Sequence, residues 1–177
     1  MVRLGRPSFT GDMTERANVI TKPEPRQVSK AIDRRSFCTL ATASATNRPH
    51  VAGVLYEAVG TTLYVSTYRT SKKARNIAGN PHVAVCIPVR RLPVGPPSTV
   101  QFQGTAEILA ANDPEILDLV KAGHLKSITA HGELELSDGC FLRITPTGKV
   151  STYGLGMSLR ELLRNPINAG GSVELTG

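Results

Sequence analysis

Apolar and polar positions along this chain repeat with two periods, and the shorter one prevails. Within residues 62–67 (TLYVST), Leu63 and Val65 alternate with Tyr64 and Ser66, the two-residue period of a half-buried strand. Residues 37–44 (FCTLATAS) and 51–59 (VAGVLYEAV) are rich in β-formers and flank a turn at 46–49 (TNRP), which predicts a hairpin. Three consecutive strands with short turns between them imply an antiparallel sheet. Residues 82–89 read as a continuously apolar strand, and 100–110 as a long one in which Gly104 marks a bulge or sharp bend. After the turn at Asp138-Gly139, residues 140–155 read as two strands broken at TPTG, 145–148.

Helical spacing is confined to short stretches. Pro25 opens a helix with Val28, Ala31 and Ile32 on one face. Residues 71–78 hold two turns, closed by Gly79, Asn80 and Pro81. Asp113 stands as N-cap before Pro114, and Ser158 and Glu161 have capping-box spacing ahead of Pro166. Six or seven strands with two or three small helices predict a mainly β (α+β) fold, an antiparallel β-barrel with helical decoration. The expected organisation is a flexible N-terminal arm over 1–24, the barrel over 25–157, and a C-terminal helix and tail over 158–177.

A chain of 177 residues encloses one good core, and 40% hydrophobic against 20% charged residues is an ordinary folding composition. The first residues hold no apolar run of signal-peptide length and the longest apolar run, 83–89, is far short of a membrane span. A cytoplasmic protein with no membrane partner is expected. Cys38, Cys86 and Cys140 are far apart and set in apolar surroundings, so they read as buried free thiols. His50, His82, His124 and His131 show no metal-binding spacing, and no metal is expected.

Charge changes the picture. Lys and Arg number 21 against 14 Asp and Glu, a net +7, yet residues 58 to 106 contain no acid while holding Arg69, Lys72, Lys73, Arg75, Arg90 and Arg91. Lys72 and Lys73 fall in the first turn of the predicted helix, where the macrodipole disfavours each cation by about 0.3–1 kcal/mol. The positions four residues on from Lys72, Lys73 and Arg75 are Asn76, Ile77 and Gly79, none of them acidic. A phosphate would remove the conflict, taking N–H bonds from the helix start, a hydroxyl bond from Ser71 or Thr67, and ammonium contacts from the lysines. The plainer alternative is a solvated basic helix face. Neither GxxxxGK[ST] nor GxGxxG is present. The arginines raise nucleic acid as a partner, but no recognised motif and only 5% aromatic residues argue against it. Among Tyr56, Tyr64, Tyr68 and Tyr153, Tyr68 beside the basic motif is the candidate to stack on a ligand or donate a hydrogen bond to it.

Three segments, FCTLATASATNRPHV, TLYVSTYRTSKKARNIAGNPHVAV and QFQGTAEIL, make the chain resemble, over about residues 28–155, the split β-barrel flavin-binding family related to pyridoxamine 5′-phosphate oxidase. That family also includes actinobacterial proteins that bind the deazaflavin coenzyme F-420. The resemblance implies a split β-barrel in which Lys72 and Lys73 hold the cofactor phosphate. It places Ser66 and Thr67 near the ribityl chain and phosphate, Tyr68, Arg69 and Ser71 in the same motif, and the ring along residues 51–56. It also implies a homodimer with the cofactor site at the subunit interface. Pyridoxamine phosphate oxidases carry Arg and Lys at the two ends of the ring-binding strand, where this chain has Val51 and Tyr56. Their basic C-terminal motif is replaced by GLGMSLRELLRNP. Both departures argue against vitamin B6 phosphate as substrate. The implied activity is hydride transfer to or from an unidentified small organic substrate, with FMN as cofactor or, as the alternative, F-420, whose acidic tail suits Arg69, Arg75, Arg90 and Arg91. A non-catalytic flavin or haem binding or storage protein of the same fold is the rival reading. No acid–base pair or nucleophile stands out, so catalytic residues stay unassigned.

Overall fold

The computed structural model describes residues 23–89 and 98–174. Residues 1–22 of the expected arm, and the Pro-rich loop with Arg90 and Arg91, lie outside the described residues. In chain order the elements are α1 (Pro25–Asp33), β1 (Phe37–Ala43), β2 (Pro49–Leu55), β3 (Glu57–Val59), β4 (Thr62–Tyr68), α2 (Lys72–Gly79), β5 (His82–Val89), β6 (Ser98–Ala110), α3 (Pro114–Lys121), β7 (Gly139–Tyr153), α4 (Leu159–Arg164) and β8 (Gly170–Glu174). The strands form one antiparallel sheet ordered β2-β1-β5-β6-β7-β4-β3, with β8 added to β7.

The barrel follows from one residue. β2 and β3 lie at opposite ends of the strand order, yet only Tyr56 separates them in sequence. The sheet must therefore curl until its two edges approach each other, and Tyr56 sits where they do. Its backbone N–H donates to Ser36 O at 2.8 Å, its hydroxyl donates to Ile32 O at 2.7 Å, and it is fully buried. The stretch 51–59, read from sequence as one strand, is thus split between two sheet edges. Inside the curl, Leu40, Leu63, Val65, Val85, Ile87, Leu142 and Ile144 form the core, capped by Val28, Ala31 and Ile32 of α1. A second cluster of Tyr64, Ile116, Leu125, Ile128 and Phe141 lies where α3 covers the other face of β4 and β7, so Tyr64 is buried as well as its neighbours.

The apolar strand read over 82–89 forms as β5, with one face turned to the core: Val83, Val85, Ile87 and Val89 are buried while His82 and Ala84 are exposed. One other expectation changes. The C-terminal strand continues through 145–147, because Thr145, Pro146 and Thr147 stay paired with Thr105, Gly104 and Gln103 of β6, and the irregularity follows Thr147, where Gly148 takes φ 69°. This crossing needs Gly104, since a Cβ there would collide with the backbone oxygen of Thr145. The register shifts between Gln101 and Gln103, beside the glycine taken from sequence as a bulge or bend. Two caps form as expected, Asp113 accepting from the Glu115 N–H and Ser158 and Glu161 closing a capping box, while Ser71, read from sequence as the first helical residue, is instead the N-cap of α2 and accepts from the Ala74 N–H. Among the described residues no helix is long and apolar enough to cross a membrane.

Candidate functional site

β4 ends at Tyr68 and the chain turns over Arg69 and Thr70 into α2. Asp138, from the segment before β7, pins this turn. The Asp138 backbone oxygen accepts from the Arg69 N–H at 2.9 Å, and its carboxylate accepts from the Thr70 N–H at 3.2 Å and the Thr70 hydroxyl at 2.6 Å. The acid missing from the local sequence is therefore supplied 68 residues away. Ser71 is occupied as the N-cap, its Oγ accepting from the Ala74 N–H and from the Thr67 hydroxyl, each at 3.3 Å. The helix buries Ala74, Asn76 and Ile77, and Asn76 Nδ2 donates to Thr42 Oγ1 of β1 at 2.9 Å. That anchorage sets the helix rotation, leaving Lys72 and Arg75 exposed while Lys73 is half-buried.

Lys73 enters a cleft of about 490 Å³, a size typical of small-molecule sites. One wall is Gly53, Val54 and Leu55 of β2, and the second is Ser66, Thr67 and Tyr68 of β4. The third comes from the segment between α3 and β7, with Ser127, Ile128, His131, Glu133 and Leu136. Burial lowers the Lys73 pKa below the ordinary lysine value, and the nearby Cys140 offsets part of that shift. Among the described residues no carboxylate pairs with Lys73.

Of the seven residues expected from sequence, Ser66, Thr67, Tyr68 and Lys73 line one cleft, while Arg69, Ser71 and Lys72 do not. Tyr68 is 52% exposed, in contrast to the buried Tyr56 and Tyr64. Tyr64 is structural: its hydroxyl donates to Glu115 Oε1 at 2.7 Å, and Arg143 ties Glu115 to Glu107. The thiols offer no reactive group here, with burial pushing Cys38 up to about 12 and Cys140 also upward.

The third wall was not legible as a site, because residues 124–137 carry no hydrophobic period. Glu57 of β3 holds its base, accepting from the Ser127 N–H at 3.0 Å and the Ser127 hydroxyl at 2.7 Å. Partial burial pushes the Glu57 pKa up, but these bonds together with the Leu125 and Lys126 N–H groups outweigh it and leave the carboxyl below its ordinary range. Further along, Glu133 Oε2 accepts from the His131 N–H at 2.8 Å, and Glu133 Oε1 lies 3.7 Å from His131 Nδ1. The Glu133 carboxyl is lowered, first by that backbone bond. A larger hollow of about 590 Å³ lies on the outer face of β1, β5, β6 and β7, where Lys149 is the one charged lining residue. The cleft, by contrast, joins a half-buried ammonium and the hydroxyls of Ser66, Thr67, Tyr68 and Ser127 to apolar walls, with the Glu133 carboxylate on its third wall; the ammonium and hydroxyls can take an anion carrying a flat apolar body.

Residues 25–148 match the family model for pyridoxamine 5′-phosphate oxidase. The chain belongs to that family. Solved structures with the same fold include the haem storage protein HutZ from Vibrio cholerae, at a TM-score of 0.63 and 19% identity over 76% of this chain and 97% of that one. An FAD-binding protein from Mesorhizobium loti matches at a TM-score of 0.59 and 21% identity, covering 73% of this chain and 93% of that one. An F-420 reductase matches at a TM-score of 0.51 and 22% identity, covering 68% and 93%. Identities this low establish the shared split-barrel fold and leave each neighbour's ligand its own. No curated protein sequence matches the chain.

Proposed function

We propose that the cleft binds FMN or, alternatively, F-420, and that this family member is a cytoplasmic oxidoreductase acting on a small organic substrate. The observation that carries the reading is Lys73, an ammonium drawn into a cleft with no carboxylate partner among the described residues. A bound phosphate satisfies it, with the Ser66 and Thr67 hydroxyls alongside. Residues 53–55 of β2 then flank the ring, and Tyr68 closes one side. Arg69, Lys72 and Arg75 stand outside the lining, where they favour an acidic tail through the field they create. When bound, the cofactor supplies the hydride chemistry, while the chain binds, orients and shields it.

The same reading makes the protein a homodimer. Val51, Ala41, Ala84, Gln103 and Thr147 are paired in register across five strands, and so are Gly53, Thr39, Cys86, Gln101 and Ser151. These two rows share one face of the sheet and contain no charged residue. Phe37 and Leu55 extend it, 46% and 62% exposed. A second copy seated on this face is consistent with its sparse charge, Lys149 being the charged residue beside the two rows, and because Gly53 and Leu55 also line the cleft, the partner borders the cofactor site.

The test is the absorbance spectrum of protein purified from a host that makes both coenzymes. A flavin or deazaflavin chromophore that co-purifies supports the proposal; colourless protein that binds neither molecule in titration overturns it. The same spectrum separates the rival haem-binding reading, which the His131 imidazole in the cleft favours, through a haem band in place of a flavin one.

A further inference from the structure

The charges that line the cleft do not by themselves suit a phosphorylated ligand. Lys73 and Glu133 carry opposite charges and cancel, and Lys72, which by sequence promised the second cation, is outside the lining. His131 is the remaining ionisable nitrogen base in the lining. Its side chain is 84% accessible while that of Glu133 is 20% accessible, so the carboxylate is tucked behind an imidazole that a ligand can reach. Gly132, at φ 83°, makes the left-handed turn that brings Glu133 back to the His131 N–H. The other titratable groups that line the cleft are Glu133 on the same loop as His131, Lys73 of α2 and Tyr68 of β4, while β2 contributes only Gly53, Val54 and Leu55. An anion docked beside an imidazole favours its protonated form.

We propose that His131 is a second anion-binding group of this cleft, taking up a proton as a phosphorylated ligand docks beside Lys73. This rests on the reading of the cleft as a phosphate-bearing cofactor site. Its signature is pH. The imidazolium contribution is present at the acid end and lost as pH rises through the histidine range. A flavin phosphate loses charge as it is protonated near pH ~6, an opposing trend that a His131→Gln variant carries as background.

The experiment is titration of FMN into the wild-type protein and H131Q between about pH 5.5 and about pH 8.5. Alongside it, NMR follows the His131 imidazole of the wild type with and without inorganic pyrophosphate. The proposal expects wild type to bind FMN about threefold to tenfold more tightly than H131Q at the acid end, with the ratio falling to about one at the alkaline end. It also expects pyrophosphate to move the imidazole titration to higher pH. FMN binding with an equal affinity for both proteins at every pH overturns the role of His131 and leaves the cofactor reading standing. A pyrophosphate shift without any FMN binding supports His131 and ends the FMN reading. No response to either anion ends both the role of His131 and the FMN reading.

Discussion

Replacing Lys73 by alanine removes the ammonium that α2 turns into the cleft, and replacing Lys72 removes its exposed neighbour. A charge-assisted contact between a half-buried ammonium and a phosphate contributes about 1.5–3 kcal/mol. Its loss weakens FMN or F-420 binding about tenfold to a hundredfold. Lys72→Ala changes affinity by less than about threefold, because a solvated cation acts only through a screened field. Stability moves the other way. Lys73 is the second residue of α2, where the macrodipole costs about 0.3–1 kcal/mol, and alanine is the better helix former. Burial places its folded-state pKa below the unfolded value, so the penalty is fully present below the folded pKa and fades as pH rises past the unfolded one. At neutral pH the cofactor-free K73A protein therefore melts about 1–4 °C higher than wild type. Fluorescence titration gives the affinities and calorimetric melts of cofactor-free protein give the stabilities. Equal weakening by K72A and K73A, or wild-type affinity in K73A, refutes the assignment.

Three other substitutions probe the frame around the site. Gly104→Ala sets a Cβ against the Thr145 backbone, 3.1 Å from its carbonyl carbon, and the crossing of β6 and β7 has no room to give. A cost of about 1–3 kcal/mol lowers the melting temperature by several degrees, and an unchanged melt contradicts the close approach. Glu57→Gln removes a carboxylate held below its ordinary pKa. Its contribution is present above the unfolded pKa and lost as pH falls through the folded one, so the variant is less stable than wild type at neutral pH and the gap closes in acid; a gap that stays constant in melts down to about pH 3 contradicts it. Val51→Glu, at a site 60% exposed in the single chain, leaves the subunit folded but halves the mass seen by light scattering and weakens cofactor binding. An intact dimer places the interface elsewhere.

Local signals were legible where local physics decides. The apolar face of α1, the Asp113 cap and the Ser158–Glu161 capping box are set by residues within a turn or two of each other, and the structure contains all three. What sequence missed depends on contacts between distant positions. The split of 51–59 at Tyr56 reflects closure of the barrel, which brings the two sheet edges together. Residues 145–148 carry turn chemistry, yet pairing along β6 holds 145–147 in the strand, and only the register shift after Thr147, with Gly148 at φ 69°, reflects that chemistry. Residues 170–174 had no strand pattern and form β8 only because β7 offers an open edge. At the site, the basic motif revealed Lys73 but not that the Asn76–Thr42 bond rotates Lys72 away from the cleft. The wall with Ser127, His131 and Glu133 was silent, since its anchor, Glu57, lies 70 residues away from Ser127.

The most direct measurement is a crystal structure of the protein grown with FMN or F-420 at saturating concentration. A phosphate oxygen should lie about 2.7–2.9 Å from Lys73 Nζ, the distance of a charge-assisted bond, with the Ser66 and Thr67 hydroxyls beside it and the ring against residues 53–55. Cofactor bound elsewhere on the barrel, or in this cleft with its phosphate turned away from Lys73, contradicts the assignment.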